Sequence, residues 1–312
     1  MDKVTYIIGR LLQMIPTVLV ITILVFFMVR MIPGDPAAIM LGLRSTPEKV
    51  AEINARWGLD KPIYEQFFIF FVNVFKGDLG VSLISRTPVM EMIKVRLPLT
   101  LFMSVYAAII GVVFSVPLSL LAALNRDKWI DQVIRGVFVT VLSTPGFWVG
   151  IMLLILFGVK IPIFPVGGVG HTFQERLRDL FLPSFTLSLN LMAVLTRNLR
   201  DGIITTLRSE HVVFARAKGL AERTIMLRHV LRNAMVSGLT ILGIYMSWLV
   251  GGSVIIETVF AIPGMGNAMI QGILGRDYPL VQGLTLVFGV LVSLVYLLTD
   301  IVYSFLDPRV TL

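Results

Sequence analysis

The chain has few side chains of the types that catalyse reactions. Its three histidines, His171, His211 and His229, form no H-E-x-x-H zinc motif, and no G-x-S-x-G nucleophile elbow is present. The absence of cysteine excludes disulfides, thiolate metal sites and cysteine catalysis. A phosphate loop of the form G-x-x-x-x-G-K-[ST] is also missing. These patterns predict a protein that is not an enzyme and that holds no cofactor or metal of its own.

Polar side chains concentrate instead in residues 210–234, between two long apolar runs. The acids of this segment, Glu210 and Glu222, are outnumbered by its bases, which are Arg216, Lys218, Arg223, Arg228 and Arg232. A segment with this many charges cannot lie within a bilayer. Two interpretations remain open. It is either a basic cytoplasmic loop that only satisfies the positive-inside rule, or a surface that another protein approaches closely.

The same segment has helical periodicity. Apolar residues recur after its only glycine at positions i, i+3, i+4 and i+7, on one face of a helix. They are Leu227, Val230, Leu231 and Ala234. The pattern predicts two short helices joined at Gly219, because glycine turns the chain at little steric cost. Ala215 and Ala217 would keep the first helix thin enough for close approach by a partner.

The composition indicates an integral membrane protein. Of 312 residues, 56% are hydrophobic, and the mean hydropathy is +0.87. The net charge of +8 gathers in short loops between apolar runs, without a basic tail or an RNA-binding motif. We therefore expect membrane lipid, and no nucleic acid, among its partners.

Hydropathy predicts an all-α integral membrane fold with six transmembrane helices. The predicted spans are residues 11–31, 99–124, 133–159, 183–196, 235–256 and 280–306. The short loops that this order assigns to the cytoplasm contain most of the basic residues, whereas the short outer loops hold only Lys160, Arg176, Arg178 and Arg276. Both termini are therefore predicted to be cytoplasmic.

Three regions follow from this order. Residues 1–31 form the first span, 32–96 an extracytoplasmic segment, and 97–306 a core of five further spans with a polar loop at 201–235. Pro33, Gly34, Asp35 and Pro36 break the first helix as it leaves the membrane. The apolar run at 67–72 is too short to cross about 30 Å as a helix. It is expected to form an interfacial helix on the membrane surface or on the protein itself.

Polar residues inside the spans bear on the energy source. The fourth span contains Ser184, Thr186, Ser188 and Asn190, which either join helices or line a polar path. Carboxylates at mid-membrane are almost absent, since Glu257 and Asp300 lie towards helix ends. A carrier driven by an ion gradient is expected to bury such carboxylates, so their scarcity favours a separate ATPase as the energy source.

Several motifs resemble the permease subunits of bacterial ABC importers, in the dipeptide, oligopeptide, glutathione and nickel branch. Residues 215–220 read ARAKGL and residues 229–234 fit HxLRNA, as in the cytoplasmic EAA loop of that branch. The words GDLGVS, IPGMG and RDYP match further elements. The chain departs from the broader family at Val213 and Phe214, where Glu-Ala is usual, and has no proline near Leu231. Contacts of the consensus glutamate are therefore not transferred.

The resemblance implies a type I ABC importer permease fold in a bacterial cytoplasmic (inner) membrane, with the extracytoplasmic segment between helices 1 and 2. It also implies a second homologous permease, two ATPase subunits that bind ATP and magnesium, and an extracytoplasmic solute-binding protein. The implied function is ATP-driven import of di- or oligopeptides by alternating access. Glutathione or a nickel chelate is an alternative cargo, and an ion-coupled secondary carrier is an alternative of another class.

The resemblance further implies that the polar loop contains a coupling helix seated in a groove of an ATPase subunit. The residues assigned to this coupling role are Ala215, Arg216, Ala217, Lys218, Gly219, Leu220, Ala221, Glu222 and Arg223.

Overall fold

Helices account for most of the chain in the computed structural model, which describes residues 3–31, 36–42 and 45–306. The helices in chain order are α1 (Lys3–Arg30), α2 (Pro36–Leu41), α3 (Pro47–Trp57), α4 (Ile63–Phe75), α5 (Val89–Leu124), α6 (Trp129–Ser143), α7 (Gly146–Leu154), α8 (Phe173–Asp179), α9 (Phe181–Leu207), α10 (Glu210–Ala217), α11 (Glu222–Thr224), α12 (Arg232–Val259), α13 (Met265–Leu274) and α14 (Tyr278–Leu306). Two π-helical stretches extend them, Ile155–Lys160 after α7 and Ile225–Leu231 between α11 and α12.

Four of the described helices are long and apolar enough to cross a membrane. They cover Leu11–Met28, Val89–Leu124, Glu222–Val259 and Tyr278–Ile301. Two further helix pairs are long and apolar enough only when both helices of the pair are counted as one span. One pair is bent by 106° between Ser143 and Gly146, and the other by 54° between Asp179 and Phe181. The number of spans is therefore four, or up to six if each bent pair crosses once, and the count of six stays a prediction.

The predicted break in the third apolar run is confirmed. The helix stops at Ser143 and restarts at Gly146, with Pro145 immediately before the new helix. Proline lacks a backbone N–H and fixes φ near the helical value, so it suits the start of a helix and not its interior. The bend of 106° makes the two halves nearly perpendicular, which is far more than a proline kink in a straight span.

Two helices differ from their predicted bounds. The fourth run does not end at 196, because α9 continues to Leu207 and takes Arg197 and Arg200 into the helix. The second run does not begin at 99, because α5 starts at Val89 and includes Pro98. The predicted boundary between 96 and 97 therefore falls inside a continuous helix. The helix-breaking residues 33–35 and both chain ends lie outside the described residues.

The helix α4 packs on α1, which agrees with one of the two predicted locations for the apolar run at 67–72. The ring of Phe26 lies 5.2 Å from that of Phe67 and 5.7 Å from that of Phe70, centroid to centroid. Arg30 donates hydrogen bonds of 2.8 and 3.1 Å to Oε1 of Gln66. These contacts attach the segment after the first span to the end of α1.

The centre of the helical core is the pair α5 and α9. The hydroxyl of Ser115 donates to the carbonyl of Met192, and that of Ser184 donates to the carbonyl of Met103, both at 3.3 Å. The hydroxyls of Thr186 and Ser188 bond to carbonyls of their own helix. These buried hydroxyls therefore satisfy backbone acceptors, and the contacts of Ser115 and Ser184 each join α5 to α9.

Candidate functional site

The polar segment begins with α10 and ends this helix in a tight turn. Gly219 has φ of +77°, and no atom lies within 4 Å of the position that a Cβ would occupy there. The N–H of Gly219 bonds to the carbonyl of Arg216 at 2.9 Å, and the N–H of Leu220 bonds to that of Ala215 at 3.3 Å. This pair of bonds is a Schellman C-cap. Glycine adopts the left-handed conformation that this cap requires without the steric cost of a Cβ. The predicted turn at Gly219 is confirmed.

One side of α10 is fixed to the helical core. Val212 is fully buried and Ala215 is 6% exposed, and both belong to the cluster that contains Ile225, Val230 and Ala234. Ala215 therefore packs against the protein's own helices, and of the two alanines expected to admit a partner only Ala217 is exposed. Burial of these apolar groups holds the segment in one orientation relative to the core.

The other side of α10 presents apolar groups to the surroundings. Phe214 is 63% exposed, Val213 is 58% exposed, and Leu220 is 42% exposed. The Nζ of Lys218 lies 5.0 Å from the centroid of the Phe214 ring, within the range of a cation–π contact. Exposed aromatic and aliphatic groups beside cations are typical of a protein interaction surface. We call Val213, Phe214, Lys218, Leu220 and Arg223 the docking surface.

An ion pair closes the turn across Gly219. The guanidinium of Arg216 donates hydrogen bonds to the Glu222 carboxylate, 2.7 Å from Nε to Oε1 and 3.3 Å from Nη2 to Oε2. The hydrogen bond raises the pKa of the Arg216 guanidinium. Both side chains are exposed, so this pair shapes the turn and adds little to stability. Within the described part of the chain Arg223 forms no ion pair, so its charge is available to a partner.

The structure therefore brings the nine predicted coupling residues into one turn and exposes all of them except Ala215. It adds Val213 and Phe214, which sequence analysis had noted only as departures from a consensus. Their apolar character next to a charged stretch was the available signal.

The expectation of a second, separate short helix is wrong. From Glu222 the chain stays helical without a break through the π-helical stretch Ile225–Leu231 and into α12. This continuous helix ends at Val259. Thirty-eight residues at 1.5 Å each give a rod of about 57 Å. The residues that follow the Gly219 turn are therefore continuous with the helix that ends at Val259.

A buried ion pair lies close to this end of the helical core, and sequence analysis missed it. Asp131 of α6 is fully buried, and Arg200 of α9 donates to it at 2.7 Å from Nε and 2.5 Å from Nη2. Arg200 also pairs with exposed Asp201 at 2.9 Å. The bidentate contact joins the first turn of α6 to α9 and satisfies a carboxylate that has no access to water.

Another buried carboxylate, Glu257, lies near the far end of α12, towards a helix end as sequence analysis expected. Glu257 accepts hydrogen bonds from Oγ1 of Thr100 at 2.7 Å and from the N–H of Asn267 at 3.0 Å. The same Thr100 hydroxyl accepts from the N–H of Met265 at 2.9 Å. These bonds attach the IPGMG motif to α5 and α12.

The buried carboxylate of Asp277 attaches the RDYP motif to another part of the protein in the same way. It accepts hydrogen bonds from the N–H of Leu83 at 3.0 Å and from the hydroxyl of Ser82. Residues from GDLGVS and RDYP, distant in sequence, therefore meet in one contact ahead of α14.

Replacing Asp277 by alanine is expected to lower the free energy of unfolding by about 1–3 kcal/mol, because the buried N–H and O–H donors lose their acceptor. Asp78→Ala is the matched control, since among the described residues its carboxylate accepts a single hydrogen bond, an exposed one of 2.9 Å from the N–H of Gly80. Thermal unfolding in detergent should show a clear drop in Tm for the first variant and almost none for the second. Equal drops would contradict the assigned role.

Comparison with known proteins agrees with this architecture. Residues 115–312 match the family described as binding-protein-dependent transport system inner membrane component, and residues 3–104 match its N-terminal region. The glutathione transport system permease protein GsiC of Escherichia coli K12 is 34% identical over 305 residues, 98% of each chain. A Brucella suis protein named as a peptide transport system permease is 37% identical over 307 residues, 97% of this chain and 98% of that one.

Two solved structures show the same fold at low sequence identity. A methionine ABC transporter, MetNI, in an inward-facing conformation has a TM-score of 0.58 and 17% identity, and covers 70% of this chain and 97% of that one. An amino acid ABC transporter crystallised with histidines has a TM-score of 0.53 and 18% identity, and covers 69% and 94%. The chain therefore belongs to the family of binding-protein-dependent transport system inner membrane components, the permease subunits of ABC importers, in the branch that contains glutathione and peptide permeases.

Proposed function

We propose that this permease imports di- or oligopeptides, driven by ATPase subunits that dock on the turn around Gly219. As a component of a binding-protein-dependent system, the chain works in the inner membrane with ATPase and solute-binding partners. The observation behind the proposed site is the docking surface itself, because it exposes Phe214 and Leu220 at the base of a continuous helix.

The docking surface supports a lever mechanism. Val212 and Ala215 fix one side of α10 to the core, and the other side offers apolar groups and the cations of Lys218 and Arg223 to a partner. Closure of two ATPases around ATP would move the turn as a rigid body. The continuous rod from Glu222 to Val259 would then rock with it, between inward-open and outward-open states.

The partners of this mechanism are a second homologous permease, two ATPase subunits and an extracytoplasmic solute-binding protein. ATP and magnesium would bind to the ATPases, and the permease itself would hold no cofactor. With six spans of the type I importer fold, both termini of the chain would be cytoplasmic, on the side of the docking surface. The excess of basic residues in the loops on that side supports this orientation.

The cargo is a peptide in this proposal because the Brucella suis relative is named for peptide transport. Glutathione is the main alternative, supported by the name of the Escherichia coli relative, and a nickel chelate is a further one. All of these cargoes would be selected largely by the solute-binding protein.

An ion-coupled carrier is the competing class of transporter. Such a carrier needs a carboxylate that binds and releases a cation during transport. Three carboxylates are buried in the described residues, Asp131, Glu257 and Asp277. Each accepts hydrogen bonds from protein donors at both of its oxygens, which is typical of a carboxylate with a structural role. This use of the carboxylates favours the ATPase as the energy source.

A bulky residue at Gly219 is expected to uncouple ATP hydrolysis from uptake. Gly219→Leu must hold a side chain at φ of +77°, which costs about 1–2 kcal/mol locally and reshapes the turn, while the open space there avoids a clash with the core. The variant should reach the membrane in normal amounts, yet transport several-fold less peptide. Gly9→Leu is a control, since its Cβ position also contacts no other atom and its φ is not in the left-handed range. Normal uptake by Gly219→Leu would count against the lever.

The proposed function is tested by pull-down of the tagged chain in mild detergent, followed by an ATPase assay of the recovered complex. We expect a second permease and ATPase subunits to co-purify, with ATP turnover stimulated by the peptide-loaded binding protein. Stimulation by glutathione-loaded binding protein alone would reassign the cargo. Recovery of this chain alone, with transport in liposomes driven by an ion gradient, would replace the proposal by the carrier.

A further inference from the structure

A cavity of about 560 Å³ lies between α6 and α9, on the side of the helical core that leads to α10. Its polar part contains four arginines, Arg126, Arg135, Arg197 and Arg200, against two carboxylates, Asp127 and Asp201, and it also includes Thr196 and Thr205. The docking surface and the Arg216–Glu222 ion pair are not part of it. A concentration of cations around a cavity favours an anionic ligand.

Two of these cations have no carboxylate within ion-pair distance among the described residues, and one of them, Arg135, also acts at longer range on buried Asp131. Arg200 pairs with Asp131 and Asp201, and Arg126 pairs with Asp127 at 3.2 Å. Across residues 45–306, by contrast, Arg135 and Arg197 form no ion pair, and both are exposed. They lie on different helices that face the same cavity, so one anionic group between them would be attracted by both.

A buried hydroxyl in the cavity wall is the second observation. Thr196 lines the cavity and is only 2% exposed. Within the described residues its Oγ1 has no hydrogen bond partner. A buried hydroxyl without a partner is costly. Rotation of the Thr196 side chain towards the cavity would bring this oxygen to a ligand oxygen and remove that cost.

One side of the cavity is apolar, and this side identifies the source of the anion. Ile134, Phe138, Val139 and Leu142 form this wall, and Val139 and Leu142 are 63% and 47% exposed. Trp129, at the first position of α6, is 73% exposed, as expected for a side chain at the membrane interface. A phosphate group beside hydrocarbon matches a phospholipid better than a free phosphate ion, which needs only the polar part.

We propose that this cavity binds the phosphate headgroup of an anionic phospholipid, with the arginines Arg135 and Arg197 at its phosphate and the apolar wall along its acyl chains. A basic pocket between transmembrane helices on the cytoplasmic side suits such a headgroup. The bound lipid would fill the space between α6 and α9 beside the Asp131–Arg200 pair.

Native mass spectrometry of the full chain, with the subunits that co-purify, tests the site by titration with phosphatidylglycerol and phosphatidylcholine. We expect phosphatidylglycerol to bind more tightly, and R135Q/R197Q to weaken it by about fivefold for each arginine removed. R228Q/R232Q is the matched control, because it removes two exposed arginines of the same polar region that do not line the cavity. Its phosphatidylglycerol affinity should be unchanged.

Thr196→Val separates a built site from general attraction to charge. It keeps the shape and the net charge, and should still weaken phosphatidylglycerol binding several-fold. Equal affinity for both lipids, equal losses in R135Q/R197Q and R228Q/R232Q, or no loss in any cavity variant would overturn the proposal. So would binding of inorganic phosphate without lipid, or a cavity that the second permease fills in the assembled complex.

Discussion

Asp131→Ala is expected to destabilise the permease by about 3–5 kcal/mol. The substitution leaves the Arg200 guanidinium, only 12% exposed, without the carboxylate that holds it at 2.5 and 2.7 Å. It also removes the acceptor for the N–H of Asp127 at 3.0 Å. A loss of this size is a large part of the stability of a typical domain, so little folded protein should be recovered.

Asp201→Ala provides the matched comparison for this prediction. Asp201 pairs with the same arginine at 2.9 Å, but its side chain is 59% exposed, so its loss should cost less than about 1 kcal/mol. Thermal unfolding in detergent and the recovered fraction of monodisperse protein measure both variants. Similar behaviour of the two would mean that the buried pair does not hold α6 on α9.

Gly266→Ala is the second substitution with a large expected effect. A Cβ at Gly266 would lie 2.4 Å from Cα of Val254 and 3.0 Å from Oε2 of Glu257. The close neighbour at Val254 is backbone, which cannot move away as a side chain can, so α13 must separate from α12. We expect a cost of about 3 kcal/mol or more, at the upper end of overpacking effects.

Gly251→Ala tests whether the effect comes from close packing or from glycine itself. Gly251 is part of the same helix α12, and among the described residues no atom outside its own helix turn lies within 4 Å of its Cβ position. Alanine there should be neutral or slightly stabilising, since it favours the helix. Thermal unfolding and protein yield should show a clear loss of stability for Gly266→Ala and none for Gly251→Ala. Equal losses of stability would show that the packing of α13 on α12 is not the cause of the effect.

The sequence predicted those features that depend on local pattern. The break before Gly146 and the turn at Gly219 both depend on one residue with special backbone properties, and both are in the structure. The apolar run at 67–72 was correctly predicted as a short helix, because its length alone excludes a span.

The features that sequence analysis missed depend on contacts between distant residues. Asp131 and Arg200 are 69 positions apart, and sequence analysis counted Arg200 only as a loop charge and assigned no role to Asp131. Arg200 lies in the part of α9 that continues past 196, where hydropathy alone predicts the end of the span. Ala215 illustrates the same limit, since its small size suits contact with a partner or with the core, and only packing shows that it faces the core.

The docking surface was predicted in part. Lys218, Leu220 and Arg223 were assigned by resemblance, whereas Phe214 emerged from its 63% exposure. The continuity of the helix from Glu222 to Val259 was hidden by the charges at 222–232, which resemble a loop when periodicity is considered over short windows. This continuity is the structural basis of the proposed lever.

The central claim, that an ATPase docks on this surface, is tested most directly by site-specific cross-linking. The chain contains no cysteine, so Phe214→Cys introduces a single reactive site that can be labelled with benzophenone maleimide. In the assembled transporter, light should join this position to an ATPase subunit, identified by mass spectrometry. Leu274→Cys, 80% exposed in α13 and predicted to lie on the outer side, should give no such product. A labelled but uncross-linked Phe214→Cys in an active transporter would contradict the claim.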